Sequence, residues 1–143
     1  MNSESAILTG LSYQLKANPW LGTQLLFSHA IERIRHDAQR LRESAPPNSF
    51  SLGWVQRIND DWSATLLHYR VGAIEWLEFG ERIAPYQRTD ARIAHRVRVS
   101  NLRGDLSLAG QNLFGSYNEF RNGPPEETHR YSRRIFATLR FDY

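Results

Sequence analysis

The stretch Arg133–Tyr143, RRIFATLRFDY, decides the fold. Side chains alternate across an extended strand, so Ile135, Ala137, Leu139, Phe141 and Tyr143 share one face and Phe136, Thr138, Arg140 and Asp142 the other. One face is apolar throughout, the other is mixed, and an aromatic residue closes the run. A ribbon of this kind suits the wall of a β-barrel, with hydrocarbon on one side and a wet or filled lumen on the other.

Upstream, six more extended segments are expected: Ala6–Leu15, Leu21–Ile34, Ser49–Ile58, Trp62–Leu77, Tyr86–Val99 and Asp105–Phe120. Ile7, Thr9, Leu11, Tyr13 and Leu15 fall together in the first; Leu21, Thr23, Leu25 and Phe27 in the second; Phe50, Leu52 and Trp54 in the third. The fifth sets Ala91, Ile93, Val97 and Val99 against Asp90, Arg92, Arg96 and Arg98, and the sixth sets Leu106 and Leu108 against Ser107, Ala109 and Gln111. Both faces of the fourth are partly apolar, so the pattern leaves its orientation open. Most segments meet the roughly 9–11 residues that a tilted transmembrane strand needs.

The connections alternate in length. Lys16–Trp20, Asn59–Asp61 and Asn101–Gly104 read as tight turns of Asn, Asp, Pro and Gly. His36–Asn48, Phe79–Pro85 and Arg121–Arg130 are longer, and Ala38–Glu43 in the first of them suits one helical turn. Short turns on one rim and long loops on the other is the arrangement of an outer-membrane barrel. The expected fold is therefore all-β: an antiparallel, up-and-down transmembrane barrel segment of about seven or eight meandering strands, forming one domain over residues 1–143.

Composition is consistent with this. Apolar residues make up 41% of the chain, and the mean hydropathy is −0.56. No run approaches the roughly 20 apolar residues of a spanning helix, but a barrel exposes only alternate residues to lipid and escapes that test. The net charge is +3, and 17 of the 18 basic residues are Arg, Lys16 being the exception. They alternate with apolar residues instead of forming a helical basic stripe, which argues against a nucleic-acid partner. The chain has no cysteine, hence no disulfide or thiolate metal site. The opening MNSESAILTG lacks the basic and apolar regions of an export signal. On the barrel reading, Met1 is then expected not to be the natural start, and the chain to be the C-terminal part of something longer. Trp20 and Trp62 flank short turns, and Trp76, Phe79, Tyr86, Tyr117 and Phe120 flank long ones, as expected of aromatic girdles at two interfaces.

RTDARIAHRV (Arg88–Val97), GDLSLAGQNLFGSYNEF (Gly104–Phe120) and RRIFATLRFDY together resemble the C-terminal end of TonB-dependent outer-membrane receptors. The matching positions are Asp90 ahead of an alternating run, Asn112-Leu113-Phe114 closing the next strand, Tyr117 shortly after, and the terminal Tyr143. The likeness covers about the last 60 residues. It implies a location in the outer membrane of a Gram-negative bacterium and a parent that imports a scarce solute such as a ferric siderophore. The partners it implies are outer-membrane lipid, the barrel-assembly machinery, the plug and upstream strands of the receptor, and TonB through those absent parts. Leu139, Phe141 and Tyr143 resemble the signal read by the assembly machinery. The chain departs from the family in having no plug domain, no TonB-contacting segment and about seven strands.

Arg92, Arg96, Arg98 and Arg140 are expected to face the lumen, since Arg at the lipid midplane costs about 2–4 kcal/mol. Asp90, Glu119 and Asp142 are candidate partners. None of the five histidines makes a metal-binding spacing, no phosphate loop is present, and neither a cofactor nor an enzymatic activity is expected. A lipid-modifying barrel enzyme would need His68 or His95 beside Ser63 or Ser107. The main alternative is a small self-closing barrel with a structural or adhesion role.

Overall fold

A computed structural model describes residues 5–75, 82–99, 102–119 and 129–142. In chain order its elements are β1 (Ile7–Ala17), β2 (Thr23–Arg35), α1 (Gln39–Arg42), β3 (Asn48–Arg57), β4 (Trp62–Val71), β5 (Ile74–Glu75), β6 (Arg82–Ile83), β7 (Tyr86–Val99), β8 (Leu102–Gln111), β9 (Tyr117–Glu119), β10 (His129–Tyr131) and β11 (Arg134–Asp142). Seven strands form one antiparallel sheet in the order β1-β2-β3-β4-β7-β8-β11, and β5-β6 and β9-β10 form two small hairpins. The fold is all-β and meandering, as the alternation predicts.

The sheet is open. No ladder joins β1 to β11, so each keeps one unpaired edge among the described residues. Closure would also be awkward: in an up-and-down sheet of seven strands the first and last run the same way, and only a parallel ladder could join them.

Register gives the sheet two distinct faces. Paired residues share a face, and one rung runs Ala17, Leu25, Trp54, Leu66, Ala91, Gly110, Ile135 across all seven strands. The next rung on that side contains Leu15, Phe27, Leu52, His68 and Thr89. The opposite face carries Gln14, Ser28, Ser51, Tyr69 and Arg88 in one rung and Gln24, Val55, Thr65, Arg92, Ala109 and Phe136 in another. The fourth segment, ambiguous by pattern, is thereby oriented: Trp62, Ala64, Leu66 and His68 lie on the apolar face and Ser63, Thr65, Leu67 and Tyr69 on the polar one.

Neither face is covered by a second layer among the described residues. Leu11, Leu108 and Leu139 on the apolar face are 64%, 52% and 57% exposed, and among the described residues the buried apolar side chains are Ile83, Ala94 and Tyr117. The polar face is tied across strands instead; Ser28 Oγ lies 2.6 Å from Ser51 Oγ.

The connections sort by rim. Residues 36–47 with α1, 72–75 and 82–85 with β5-β6, and 112–119 and 129–133 with β9-β10 stand at one end of the sheet; residues 18–22 and 58–61 turn at the other. Several boundaries differ from the sequence expectation. The fourth segment stops at Val71 instead of Leu77 and the sixth at Gln111 instead of Phe120, because β5 and β9 pair into separate hairpins. Leu21 belongs to a turn, where Gly22 at φ 76° holds its carbonyl for the Arg57 N–H at 2.7 Å. Leu102–Gly104, read as a turn, opens β8 opposite Val99, Arg98 and Val97.

Candidate functional site at the long-loop rim

The residues that carry the family likeness converge where β7 and β8 reach the long loops. Arg88 and Asp90 are two apart on β7 and so share the polar face. Their ion pair is bidentate: Arg88 Nη2 lies 2.6 Å from Asp90 Oδ2, and Arg88 Nε donates to Oδ1 at 2.7 Å. The same Oδ1 accepts the backbone N–H of Asn112 at 2.9 Å. Asn112 is 3% exposed and has φ 53°, a left-handed conformation that asparagine tolerates better than most residues. Its Nδ2 donates to the Tyr131 carbonyl at 2.8 Å, and the next N–H, of Leu113, donates to the Thr89 carbonyl at 2.9 Å. One carboxylate and one amide thus bind together β7, the turn after β8, and the returning strand β10.

A row of tyrosines stands beside this frame. Tyr117 is stacked between Tyr86 at 4.6 Å and Tyr131 at 5.2 Å, and Tyr69 meets Tyr86 edge-on at 6.4 Å. Guanidinium groups cover the outer rings: Arg88 lies 5.8 Å from the centre of Tyr69 and Arg134 5.8 Å from that of Tyr131. Arg130 donates to Ser116 Oγ through Nε and Nη2 at 3.2 and 3.0 Å. Arg82, Tyr86, Ser116, Tyr117 and Arg130 line one concavity. It presents flat aromatic surfaces and guanidinium donors on a hydrogen-bonded base.

The other anticipated residues are distributed as follows. Arg92, Arg96, Arg98 and Arg140 all fall on the polar face by register. Arg92 Nη2 pairs with Asp105 Oδ1 at 2.6 Å, and Asp105 is also the register partner of Arg96 and Arg140. The Arg96 side chain donates to the Asp60 carbonyl at 3.2 Å. Leu113 packs over Gly110, where an added Cβ would lie 2.6 Å from Leu113 Cδ2. Phe114 stands apart, 83% exposed. Leu139 and Phe141 lie on the apolar face of β11, and Phe141 covers Gly104. At the short-turn rim Trp62 stacks on His95 at 4.4 Å, and the Trp20 indole N–H donates to Gln56 Oε1 at 3.3 Å. Tyr86, expected in an aromatic girdle beside a long loop, pairs with Val71 on the polar face at that rim and joins the tyrosine row. Trp76, Phe79, Phe120 and Tyr143, and the side chains of Glu119 and Asp142, lie outside the described residues.

The serine–histidine pairs are not assembled. Ser63, Ala94 and Ser107 share a polar-face rung, whereas Trp62, His95 and Leu106 share an apolar-face one, with His68 on that same side. His68 Nδ1 meets Thr89 Oγ1 at 2.9 Å instead. Among the described residues no three His, Asp or Glu side chains cluster to hold a metal ion. Pattern reading missed the tyrosine row and Arg88. The signal was present, since Tyr69, Tyr86, Tyr117 and Tyr131 all sit near strand ends, but only register brings them into one stack.

Comparison of the chain with family models, with curated proteins and with solved structures finds no match.

Proposed function

We propose that this chain is a wall segment of a TonB-dependent outer-membrane receptor barrel from a Gram-negative bacterium, whose parent takes up a scarce solute such as a ferric siderophore. One observation carries the membrane part of this reading: a largely apolar face runs across seven strands with no second layer packed on it among the described residues. Exposed apolar area on that scale is not kept in water by a soluble monomer and marks contact with lipid or another protein. Strands of 9 to 14 residues, a polar reverse face rich in arginine, and loops segregated by length favour lipid. Among the described residues no helix is long and apolar enough to cross a membrane; the strands would do so.

On this reading the apolar face meets hydrocarbon, the Arg–Asp ladder lines the lumen or meets a plug, and β1 and β11 pair with further strands. Leu139 and Phe141 would serve the barrel-assembly machinery, and the Asp90–Asn112 frame would hold the outer loops. The receptor assignment itself rests on the likeness of Asp90, Asn112–Phe114 and Tyr117 to the family pattern. A small self-closing barrel is less favoured, because β1 and β11 run parallel.

Tryptophan quenching tests the membrane reading. With Trp54 as the sole tryptophan, reconstitution into vesicles of lipid brominated on the acyl chains should quench its emission strongly. Quenching by aqueous iodide alone would overturn the reading.

A further inference from the structure

The apolar face is not uniform from rim to rim. Across the seven strands it carries three charged residues, Arg33, Arg35 and Arg70, and no Asp or Glu. All three stand at the long-loop end. The short-turn end of the same face holds Ala17, Thr23, Gln56, Trp62, Leu102 and Phe141.

We propose that this arginine rim binds the phosphate groups of anionic lipid headgroups in the leaflet on the long-loop side. The inference rests on the membrane reading above. Along β2 the apolar-face side chains run Leu25, Phe27, His29, Ile31, Arg33, Arg35, from hydrocarbon character to charge. His29 accepts or donates at 3.1 Å to the Tyr13 hydroxyl, a polar aromatic pair of the sort found at headgroup level. Arg33, Arg35 and Arg70 are exposed, and none makes an ion pair among the described residues. Arg42 of α1 is held beside the first two, donating through Nη1 to the His36 and Asp37 carbonyls at 2.9 and 2.8 Å. Arg33, Arg35, Arg42, His36 and Ser5 line one concavity, with Asp37 its single carboxylate. A planar guanidinium binds phosphate oxygens two at a time, and an acidic protein surface would not explain why the cations stop at one rim.

Two vesicle types decide the matter: phosphatidylcholine alone, and phosphatidylcholine with one quarter phosphatidylglycerol. The full chain should enter both, and bind the anionic vesicles more tightly by about fivefold for each arginine engaged. Arg33→Gln with Arg35→Gln should remove most of that preference while leaving entry into neutral vesicles unchanged; Arg103→Gln on the polar face should leave the preference intact. Inorganic phosphate at millimolar concentration should not compete. Equal binding to both vesicle types, or a preference that survives the double substitution, overturns the headgroup site alone. Full competition by inorganic phosphate makes it a site for a soluble anion and overturns it too. Failure to enter either vesicle overturns the membrane reading and this inference with it.

Discussion

Asp90 Oδ1 accepts the main-chain N–H of Asn112 at 2.9 Å, across 22 residues of sequence, while the same carboxylate grips Arg88. The acceptor lies on β7 and the donor just beyond β8, so the contact sets how the chain leaves the sheet and where β10 returns. It explains why an acidic residue before one strand and an asparagine after the next belong to a single device.

Asp90→Ala should therefore strand a half-buried N–H and release Arg88, destabilising by about 2–3 kcal/mol, against about 1 kcal/mol for Asp90→Asn, which keeps an acceptor. Asn112→Gly keeps the left-handed backbone but loses the bond to the Tyr131 carbonyl, for about 1 kcal/mol. Urea unfolding in vesicles measures all three; values within about 0.5 kcal/mol of the parent, as for an idle surface site, would refute the role.

Leu66 and Thr65 are chain neighbours on opposite faces. If lipid covers the apolar face, Leu66→Arg costs about 2–4 kcal/mol near the midplane, and Thr65→Arg close to nothing. The same pair compared in vesicles separates lipid from water, since 40%-exposed Leu66 would tolerate arginine in water.

Gly22→Ala should weaken the first short turn. The φ of 76° disfavours any L side chain, and the new Cβ would lie 2.7 Å from the Arg57 carbonyl oxygen. A loss of about 1–3 kcal/mol is expected, read as faster amide exchange at Arg57, whose N–H is bonded to the Gly22 carbonyl.

Glu43, in the long loop after β2, has its carboxyl held below the ordinary value of 4.5, chiefly by the Gln39 side-chain amide, which donates at 2.9 Å; desolvation opposes this, and Glu75, Arg82 and Arg42 add smaller lowering contributions. A lowered folded-state pKa means that the contribution is present above the unfolded value and lost as pH falls through the lower, folded one. Exchange of the Glu75 amide, which is bonded to the Glu43 carbonyl at 2.8 Å, should hold steady above pH 4.5 and quicken below it, beyond the intrinsic change. Gln39→Ala should shrink that acceleration, because it brings the folded-state value back towards the unfolded one; an acceleration of unchanged size would refute the coupling.

Local pattern carried a great deal here. Period-two alternation, runs of Asn, Asp, Pro and Gly, and the unequal spacing between them determined that the chain is all-β, that seven long strands follow one another up and down, and that turns and loops segregate by rim. These are properties of neighbouring residues, and Tyr86–Val99 is the strand whose ends agree with the pattern at both termini. Register is a different matter, because it relates residues that are distant in sequence, and a slip of one position moves every side chain to the other face. Only the tertiary structure decided that β4 sets Leu66 on the apolar face and Tyr69 on the polar one, that Tyr86 joins Tyr117 and Tyr131, that Ser107 and His95 lie on opposite faces, and that the three arginines of the apolar face gather at one end.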